Sequence, residues 1–187
     1  MLSDSSLRKA SAFLDPSSSF DLSRLQPASY DVTLGSHFLE MTPSVQLVDV
    51  EDPSSYDPSQ YRVVPSYAGS DGEFSVVLRA GQFMLAHTAE RFRIPSNIQA
   101  QVCGKSSLGR LGLFVENAGF VDPGFEGQLT LELFNCSARD VVLRSGMRVA
   151  QIAFQQLDRP AGVPYGSLEL GSHYQGQEGA VPSRGSF

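Results

Sequence analysis

The sequence predicts a mainly β fold, a sandwich or a barrel, preceded by one short helix. Short runs rich in apolar and β-branched residues follow one another between residues 74 and 154 of the 187-residue chain. Gly, Pro and Asn separate these runs, for example at Ala80-Gly81 and Ser145-Gly146. Many short strands at this spacing are typical of an all-β domain. The length fits one domain, residues 1–187, that buries its own core.

The elements are expected in a definite order. Apolar residues at helical spacing extend over Ser5–Leu14, with Ser3 or Asp4 as the cap. Tyr30–Leu34 begins the strand pattern, whereas the composition from Pro43 to Ser70 indicates long loops or a hairpin excursion. The strands expected after that excursion are Phe74–Leu78, Gln82–His87, Ile98–Cys103, Leu113–Glu116, Gln128–Phe134, Val141–Leu143 and Met147–Phe154.

The final segment, residues 171–187, differs in composition from the rest of the chain. It is rich in Gly, Gln and Ser and offers little apolar surface. Such a segment cannot bury enough area to offset its conformational entropy. We therefore expect a mobile tail that makes no core of its own.

Composition and charge argue against several functions. The formal charge is −6, which disfavours broad nucleic-acid binding, although a free nucleotide needs only a local cluster of cations. No apolar run approaches the roughly 20 residues that a membrane helix needs, and no secretory signal is visible. Cys103 and Cys136 lack motif spacing and are expected to stay reduced in a cytoplasm.

The run from Gly104 to Gly112 has the composition of a phosphate-binding turn. It combines two cations, Lys105 and Arg110, with two hydroxyls and several glycines. Backbone N–H groups in a glycine-containing turn can point together at an anion, and the cations add charge. The order of a Walker A loop is absent. A solvated turn without function has a similar composition, so the residues alone leave both interpretations open.

Two carboxylates follow this turn. Asp122 precedes Pro-Gly, and Glu132 lies within the alternating run Leu129–Leu133. By pattern alone, the first is as often a plain turn residue, and the second fits the outward face of a half-exposed strand. Either carboxylate could also take part in proton transfer.

Several ordered blocks resemble the dCTP deaminase branch of the trimeric dUTPase superfamily. The run Gly104–Gly112 is similar to the branch's G-[KR]-S-S-x-x-R-L-G, and D-x-G and L-E follow here at Asp122 and Leu131-Glu132. Near the start, Gln26–Gly35 resembles Q-P-[AS]-S-x-D-[VL]-x-L-G. The chain also resembles later blocks of the family, at Gly146–Gln151, Pro164–Gly166 and Tyr174–Gln177.

The resemblance implies a fold, an assembly and a reaction. The fold would be a distorted jelly-roll-like β-barrel of the dUTPase-like β-clip type, and the assembly a homotrimer with active sites between subunits. The reaction would be hydrolytic deamination of dCTP without zinc, since the H-x-E…P-C-x-x-C pattern of zinc deaminases is absent. Magnesium is expected with the triphosphate, bound mainly by phosphates and water. dUTP is a second expected substrate, and dTTP is a candidate inhibitor.

The resemblance also assigns residue roles. Glu132 would be the base that takes a proton from water, while Ser106 and Arg110 would hold the water, the carboxylate and the nucleotide. Asp122, the fourth catalytic candidate, would contact the deoxyribose 3′-hydroxyl. The nucleotide-binding candidates are Lys105, Ser106, Ser107, Leu108, Gly109, Arg110, Asp122, Thr130, Leu131, Glu132, Gln151, Tyr165, His173 and Gln177.

Two features separate this chain from many relatives. His173 stands where the family often has Lys, and a histidine is a weaker, pH-dependent phosphate partner. Ala118-Gly119-Phe120 resembles the A-G-[FW] of bifunctional members, which also cleave the triphosphate and yield dUMP for thymidylate synthesis. A dUMP-forming deaminase is therefore the leading hypothesis. The alternatives are a deaminase that releases dUTP, a dUTPase without deamination, and a non-catalytic nucleotide-binding module.

Overall fold

The computed structural model describes residues 1–8, 13–15, 17–42, 47–52, 55–68, 74–116 and 119–184. The strands are β1 Tyr30–Thr33, β2 Leu39–Met41, β3 Tyr61–Val63, β4 Tyr67–Ala68, β5 Phe74–Leu78, β6 Phe83–Arg93, β7 Ile98–Gly104, β8 Leu113–Glu116, β9 Phe120–Val121, β10 Glu126–Asn135, β11 Val141–Arg144 and β12 Arg148–Gln156. The helices are α1 Asp4–Leu7 and α2 Ser106–Gly109, with short 3₁₀ helices at Leu22–Arg24, Pro58–Gln60 and Leu168–Leu170. No helix in the described ranges is long and apolar enough to span a bilayer.

The strands form three antiparallel sheets in the described part of the chain. One sheet has the order β1-β12-β7-β9, a second β3-β2-β6-β10-β8, and a third β11-β5-β4. The predicted mainly β, jelly-roll-like fold is confirmed. As far as they are described, the sheets stay open rather than closing into a continuous barrel.

The longest strands, β6 and β10, pair along the middle of the second sheet. On β10 the side chains alternate in burial, and Leu129, Leu131 and Leu133 point into the core. This alternation follows from the two-residue period of a strand. Each fully buried leucine contributes about 1.5–3 kcal/mol, so the strand is fixed in register by its apolar face.

A bulge interrupts the pairing of β6 with β10. Gln128 lies opposite Arg91, whereas Thr130 lies opposite His87, so β6 carries the extra residues. The Thr88 hydroxyl accepts from the Leu129 N–H at 3.0 Å and donates to the Glu90 carbonyl at 2.8 Å. The side chain thus replaces a ladder hydrogen bond that the bulge removes.

The predicted helix Ser5–Leu14 is shorter in the structure. Helix α1 ends at Leu7, and residues 9–12 lie outside the described ranges. Leu14 forms an isolated β-bridge with Phe92, so it reaches the core by pairing with β6 rather than by continuing a helix. The excursion predicted between Pro43 and Ser70 contains strands β3 and β4.

The tail packs against β10 in the structure. Gln177 forms a parallel bridge with Gly127, and its carbonyl accepts from the Gln128 N–H at 3.0 Å. Ala180 is 4% exposed and packs with Leu39 and Leu85. The prediction that this segment makes no core is therefore wrong for Ala180, because one small apolar residue suffices to dock a segment already paired to a strand.

Two histidines support this docking. The ring of His87 is buried, its Nδ1 lies 2.9 Å from the Thr88 carbonyl, and its Nε2 accepts from the His37 N–H at 3.2 Å. Burial lowers the pKa of His87, and the neighbouring His37 lowers it further. These partners fit a neutral ring with its proton on Nδ1.

Candidate functional site

A cavity of about 440 Å³ opens beside β10, near the end of β9 and under the tail. Six of the residues predicted to bind nucleotide line it: Asp122, Thr130, Leu131, Glu132, Tyr165 and Gln177. Most of its other walls are apolar, including Phe83, Leu85, Val115 and Phe120. A concave, largely apolar site with few polar groups is the usual form of a small-molecule site.

The cavity lies at a gap in the pairing of β10. In the described part of the chain, which omits residues 117–118, strand β8 pairs with β10 only from Glu132 onward, and the tail pairs with it near Gly127 and Gln128. The Leu129 N–H points to the β6 side, because it donates to Thr88. In an antiparallel strand successive N–H groups alternate in direction, so the main chain of Thr130 faces the gap. This open edge can hydrogen-bond a planar ligand as another strand would.

Glu132 lies where this open edge ends. It is opposite Leu85 of β6 on one side and pairs through its backbone with β8 on the other. The side chain is half-buried and lines the cavity, rather than lying on a plain solvent face. A carboxylate in such a position can accept a proton from a water molecule held in the cavity.

Asp122 enters the cavity from the turn after β9. Burial raises the pKa of its carboxyl group above the ordinary value. Gly124, two residues later, has a φ of +95°, and a Cβ there would lie 2.6 Å from Pro164. The Tyr165 N–H donates to the Pro123 carbonyl at 2.8 Å. The turn therefore packs directly on the Pro164–Gly166 block, which explains why a glycine is needed.

Tyr165 and Gln177 hold the tail over the cavity. The Tyr165 hydroxyl accepts from the Tyr174 N–H at 3.0 Å, and its ring packs on Phe125. The side-chain amide of Gln177 donates to the Gln128 carbonyl at 2.7 Å. In this arrangement the Gln177 amide N–H is used to fix the tail.

The predicted phosphate turn lies elsewhere on the same chain. Seven of the residues predicted to bind nucleotide lie in this turn or next to it and do not line the cavity: Lys105, Ser106, Ser107, Leu108, Gly109, Arg110 and Gln151. Lys105 Nζ lies 2.6 Å from Oδ1 of the buried Asp31. Gln151 accepts from the Ser29 hydroxyl at 3.0 Å and donates to the Gly104 carbonyl at 3.4 Å. These contacts anchor the base of the turn to β1 and β12.

The outer part of the turn faces solvent. Ser106, Ser107 and Arg110 are exposed, in contrast to Lys105 at the base. His173 is exposed as well, with its ring edge-on to Tyr174, and it is not among the cavity-lining residues. Among the described residues that line the cavity, two are carboxylates and none is Lys or Arg.

Sequence reasoning missed a further polar cavity residue, Tyr61. It lies on β3, in the stretch whose Pro, Ser and Asp content indicates loops. Burial raises the pKa of its phenol, and the charges of Glu132 and Tyr174 raise it further. The short alternation at residues 61–63 was the only signal, and it is too brief to predict a strand.

Comparisons with known proteins show what the chain is similar to. A family model described as dCTP deaminase-like matches residues 1–157. A protein of Corynebacterium glutamicum named dCTP deaminase, dUMP-forming, is 41% identical over 191 residues, covering 98% of this chain and 95% of its own. A protein of Thermobifida fusca with the same name is 42% identical over 189 residues, covering 98% and 92%.

A solved structure is similar as well. The crystal structure of 2′-deoxycytidine 5′-triphosphate deaminase from Agrobacterium tumefaciens aligns with a TM-score of 0.60 and 26% identity. The alignment covers 83% of this chain and 47% of that chain, so the present chain spans about half of the Agrobacterium one.

Proposed function

The chain belongs to the dCTP deaminase-like family, and from this membership we propose that it converts dCTP and water into dUMP, ammonia and diphosphate. Relatives similar over nearly the whole chain carry the name dCTP deaminase, dUMP-forming. The observation that supports the proposal most directly is the cavity in which Glu132 lies beside the open main-chain edge of β10. We assign the reaction to the cytoplasm and treat residues 1–187 as one domain.

In this proposal Glu132 is the general base. Its carboxylate accepts a proton from water as the water oxygen bonds to C4 of cytosine, and it passes that proton to N3. Glu132 then takes the second proton from the new C4 hydroxyl and gives it to the exocyclic amine, so the C4–N bond breaks and ammonia leaves as the C4 carbonyl forms. A second water replaces diphosphate at the α-phosphorus, which leaves dUMP.

Other residues of the cavity contact the base and the sugar of the nucleotide. The main chain of Thr130 hydrogen-bonds the pyrimidine edge, since it faces the side of β10 on which neither the described part of β8 nor the tail pairs with it, and Leu131 lines the cavity beside it. Asp122 accepts from the deoxyribose 3′-hydroxyl, and Tyr165 closes the cavity beside it. dUTP and dTTP share the sugar and the triphosphate with dCTP, so both compete for the same cavity.

We also propose that the active sites are shared between the subunits of a homotrimer. A triphosphate needs cations, yet the described cavity lining contains none. The exposed hydroxyls and guanidinium of Ser106, Ser107 and Arg110 supply what is missing when they come from a neighbouring copy. Lys105 and Gln151 then act mainly by anchoring this turn.

Magnesium enters this scheme with the nucleotide. Within the described ranges no group of three or more His, Cys, Asp and Glu side chains could hold a metal ion. The ion would be held mainly by phosphate oxygens and water, and it would neutralise charge on the triphosphate. The tail, residues 171–187, closes over the bound nucleotide and excludes water from it.

The reaction is tested by incubating the purified full chain with dCTP and magnesium. Ammonia, dUMP and diphosphate should accumulate together, separated by anion exchange. Accumulation of dUTP would favour the deaminase that stops after the first step, and binding without turnover a non-catalytic module. Glu132→Gln should bind dCTP in calorimetry yet lose about 10²–10⁴-fold in ammonia release, because an amide cannot accept the proton. Near-normal release would remove Glu132 from its role.

The shared site is tested by mixing two inactive variants. Arg110→Ala keeps an intact cavity, and Glu132→Gln keeps an intact turn. If sites form between subunits, trimers refolded from a mixture recover part of the activity, since some interfaces pair two intact halves. No recovery, or a fully active monomer of 20.2 kDa in light scattering, would place the whole site within one chain.

A further inference from the structure

Tyr61 reaches the cavity from the edge of the second sheet. Strand β3 pairs with β2, where Met41 lies opposite Tyr61, and β2 pairs with β6 through Leu39 and Leu85. Tyr61 is half-buried and packs on the cluster formed by Leu39, Leu85 and Ala180. Its ring is therefore held from two directions, by the sheet and by the docked tail.

The strand pairing puts Tyr61 on the same face of the second sheet as Glu132. Glu132 lies opposite Leu85 on β6, Leu85 opposite Leu39 on β2, and Leu39 opposite Val63 on β3. Tyr61 is two residues from Val63, so it points to the same face. Tyr61 and Glu132 both line the cavity. The high pKa of the phenol keeps Tyr61 protonated at neutral pH, and hence able to donate.

We propose that Tyr61 is a positioning residue for Glu132, its hydroxyl donating to the carboxylate and fixing which oxygen faces the reacting water. This inference rests on the deamination proposed above. A carboxylate among apolar walls tends to take up a proton, and a protonated group cannot act as a base. A hydrogen bond to the ionised form opposes that tendency and so favours the form of Glu132 that can accept a proton from water.

The proposal predicts a specific defect for Tyr61→Phe. The variant keeps the ring, so the cavity wall and the packing on Leu85 remain. We expect kcat for ammonia release to fall about 10- to 100-fold, as for the loss of one hydrogen bond to a charged group, with KM changed less than threefold. The acid limb of the kcat–pH profile should move to higher pH. Tyr67→Phe is the matched control, because Tyr67 is exposed on β4, and it should change neither quantity.

A purely structural role gives a different result. If Tyr61 only fills the wall, Tyr61→Phe leaves the pH profile of kcat unmoved, and that outcome overturns the proposal.

A second measurement does not depend on turnover. The side-chain carboxyl carbon of Glu132 can be titrated by NMR in the full chain and assigned with Glu132→Gln. In Tyr61→Phe its midpoint should rise, because the ionised form has lost a donor. If the wild-type chain releases no ammonia, the proposed function fails, and the titration still decides whether Tyr61 contacts Glu132. An active wild type with an unmoved titration refutes the contact alone.

Discussion

The main-chain N–H of Ala180, in the tail, donates a hydrogen bond to Nδ1 of His37 at 3.2 Å. The His37 N–H in turn donates to Nε2 of the buried His87, at 3.2 Å. Gly179 precedes this contact at a φ of +68°, and a Cβ there would lie 2.8 Å from His37 Nδ1. The tail is thus joined to the interior of the sheet through two imidazole rings.

His37→Ala should loosen the tail without unfolding the sheet. The variant removes the acceptor for the Ala180 N–H, and a hydrogen bond of this kind contributes about 0.5–1.5 kcal/mol. Amide exchange at Ala180 should therefore become about 2- to 10-fold faster, measured by NMR on the ligand-free chain. His173→Ala, which removes an exposed ring from the same tail, serves as the control. Equal exchange rates in wild type and His37→Ala would show that this contact does not hold the tail.

Gly35→Ala should be destabilising because of His87. A Cβ at position 35 would lie 2.1 Å from Cε1 of the His87 ring, which is buried and cannot move away. Overpacking of this kind costs about 1–3 kcal/mol in the free energy of unfolding. Gly162→Ala is the matched control, since a Cβ there meets nothing within 4 Å.

The origin of that cost can be isolated by a double-mutant cycle. In a His87→Ser background, Gly35→Ala should cost less than in the wild type, with a coupling energy of about 0.5–3 kcal/mol in urea unfolding. Additive effects would mean that the backbone at position 35, and not the ring, disfavours alanine.

Asp122→Asn should stabilise the ligand-free chain at neutral pH. Burial raises the pKa of Asp122, so the folded state favours the protonated carboxyl, and stability is lost as pH rises through the folded pKa. An uncharged amide avoids this loss. We therefore expect Asp122→Asn to have a higher Tm than the wild type at pH 7.

The pH dependence provides the check on Asp122→Asn. The gain in Tm over the wild type should shrink as pH falls toward the ordinary aspartate value, because the wild-type carboxyl is then protonated too. A gain that is the same at every pH would point to packing rather than to charge.

Lys105→Met should destabilise the turn that precedes Ser106. Only 2% of the Asp31 side chain is exposed, and without Lys105 its nearest ion-pair partner is Arg148 at 3.6 Å. Leaving a buried carboxylate partly unpaired should cost about 1–3 kcal/mol of unfolding free energy, measured with urea. Adding Asp31→Asn should recover part of the loss. Arg159→Met, which breaks the exposed pair with Asp158, should stay within about 0.5 kcal/mol.

The sequence predicted the strands whose own residues favour them. β5 and β8 have the predicted bounds, because each is a short apolar run between breakers. β2, β3, β4 and β9 were missed, since two or three residues carry no measurable periodicity and form strands only by pairing with longer neighbours. The end of α1 was misplaced because Leu14 satisfies helical spacing and bridge pairing equally well.

The resemblance named candidate site residues, but it could not give their arrangement. Motif blocks identified Glu132 and Asp122, which the structure brings into one cavity. The same blocks named Arg110, which is exposed on another part of the chain, and its role at a site shared between subunits stays a prediction. Linear spacing says nothing about which copy of a chain supplies a residue. Tyr61 contributes to the cavity through tertiary pairing, which no local pattern encodes.

The bridge between Gln177 and Gly127 has a consequence for the chain without its tail. Where β8 does not reach, the tail is what caps the free side of β10. Departure of the tail would leave unpaired N–H and C=O groups beside exposed apolar side chains such as Phe120, and such an edge is a template for strand addition by another polypeptide. In its docked arrangement the terminal segment therefore covers an edge that would otherwise be open to association with another chain.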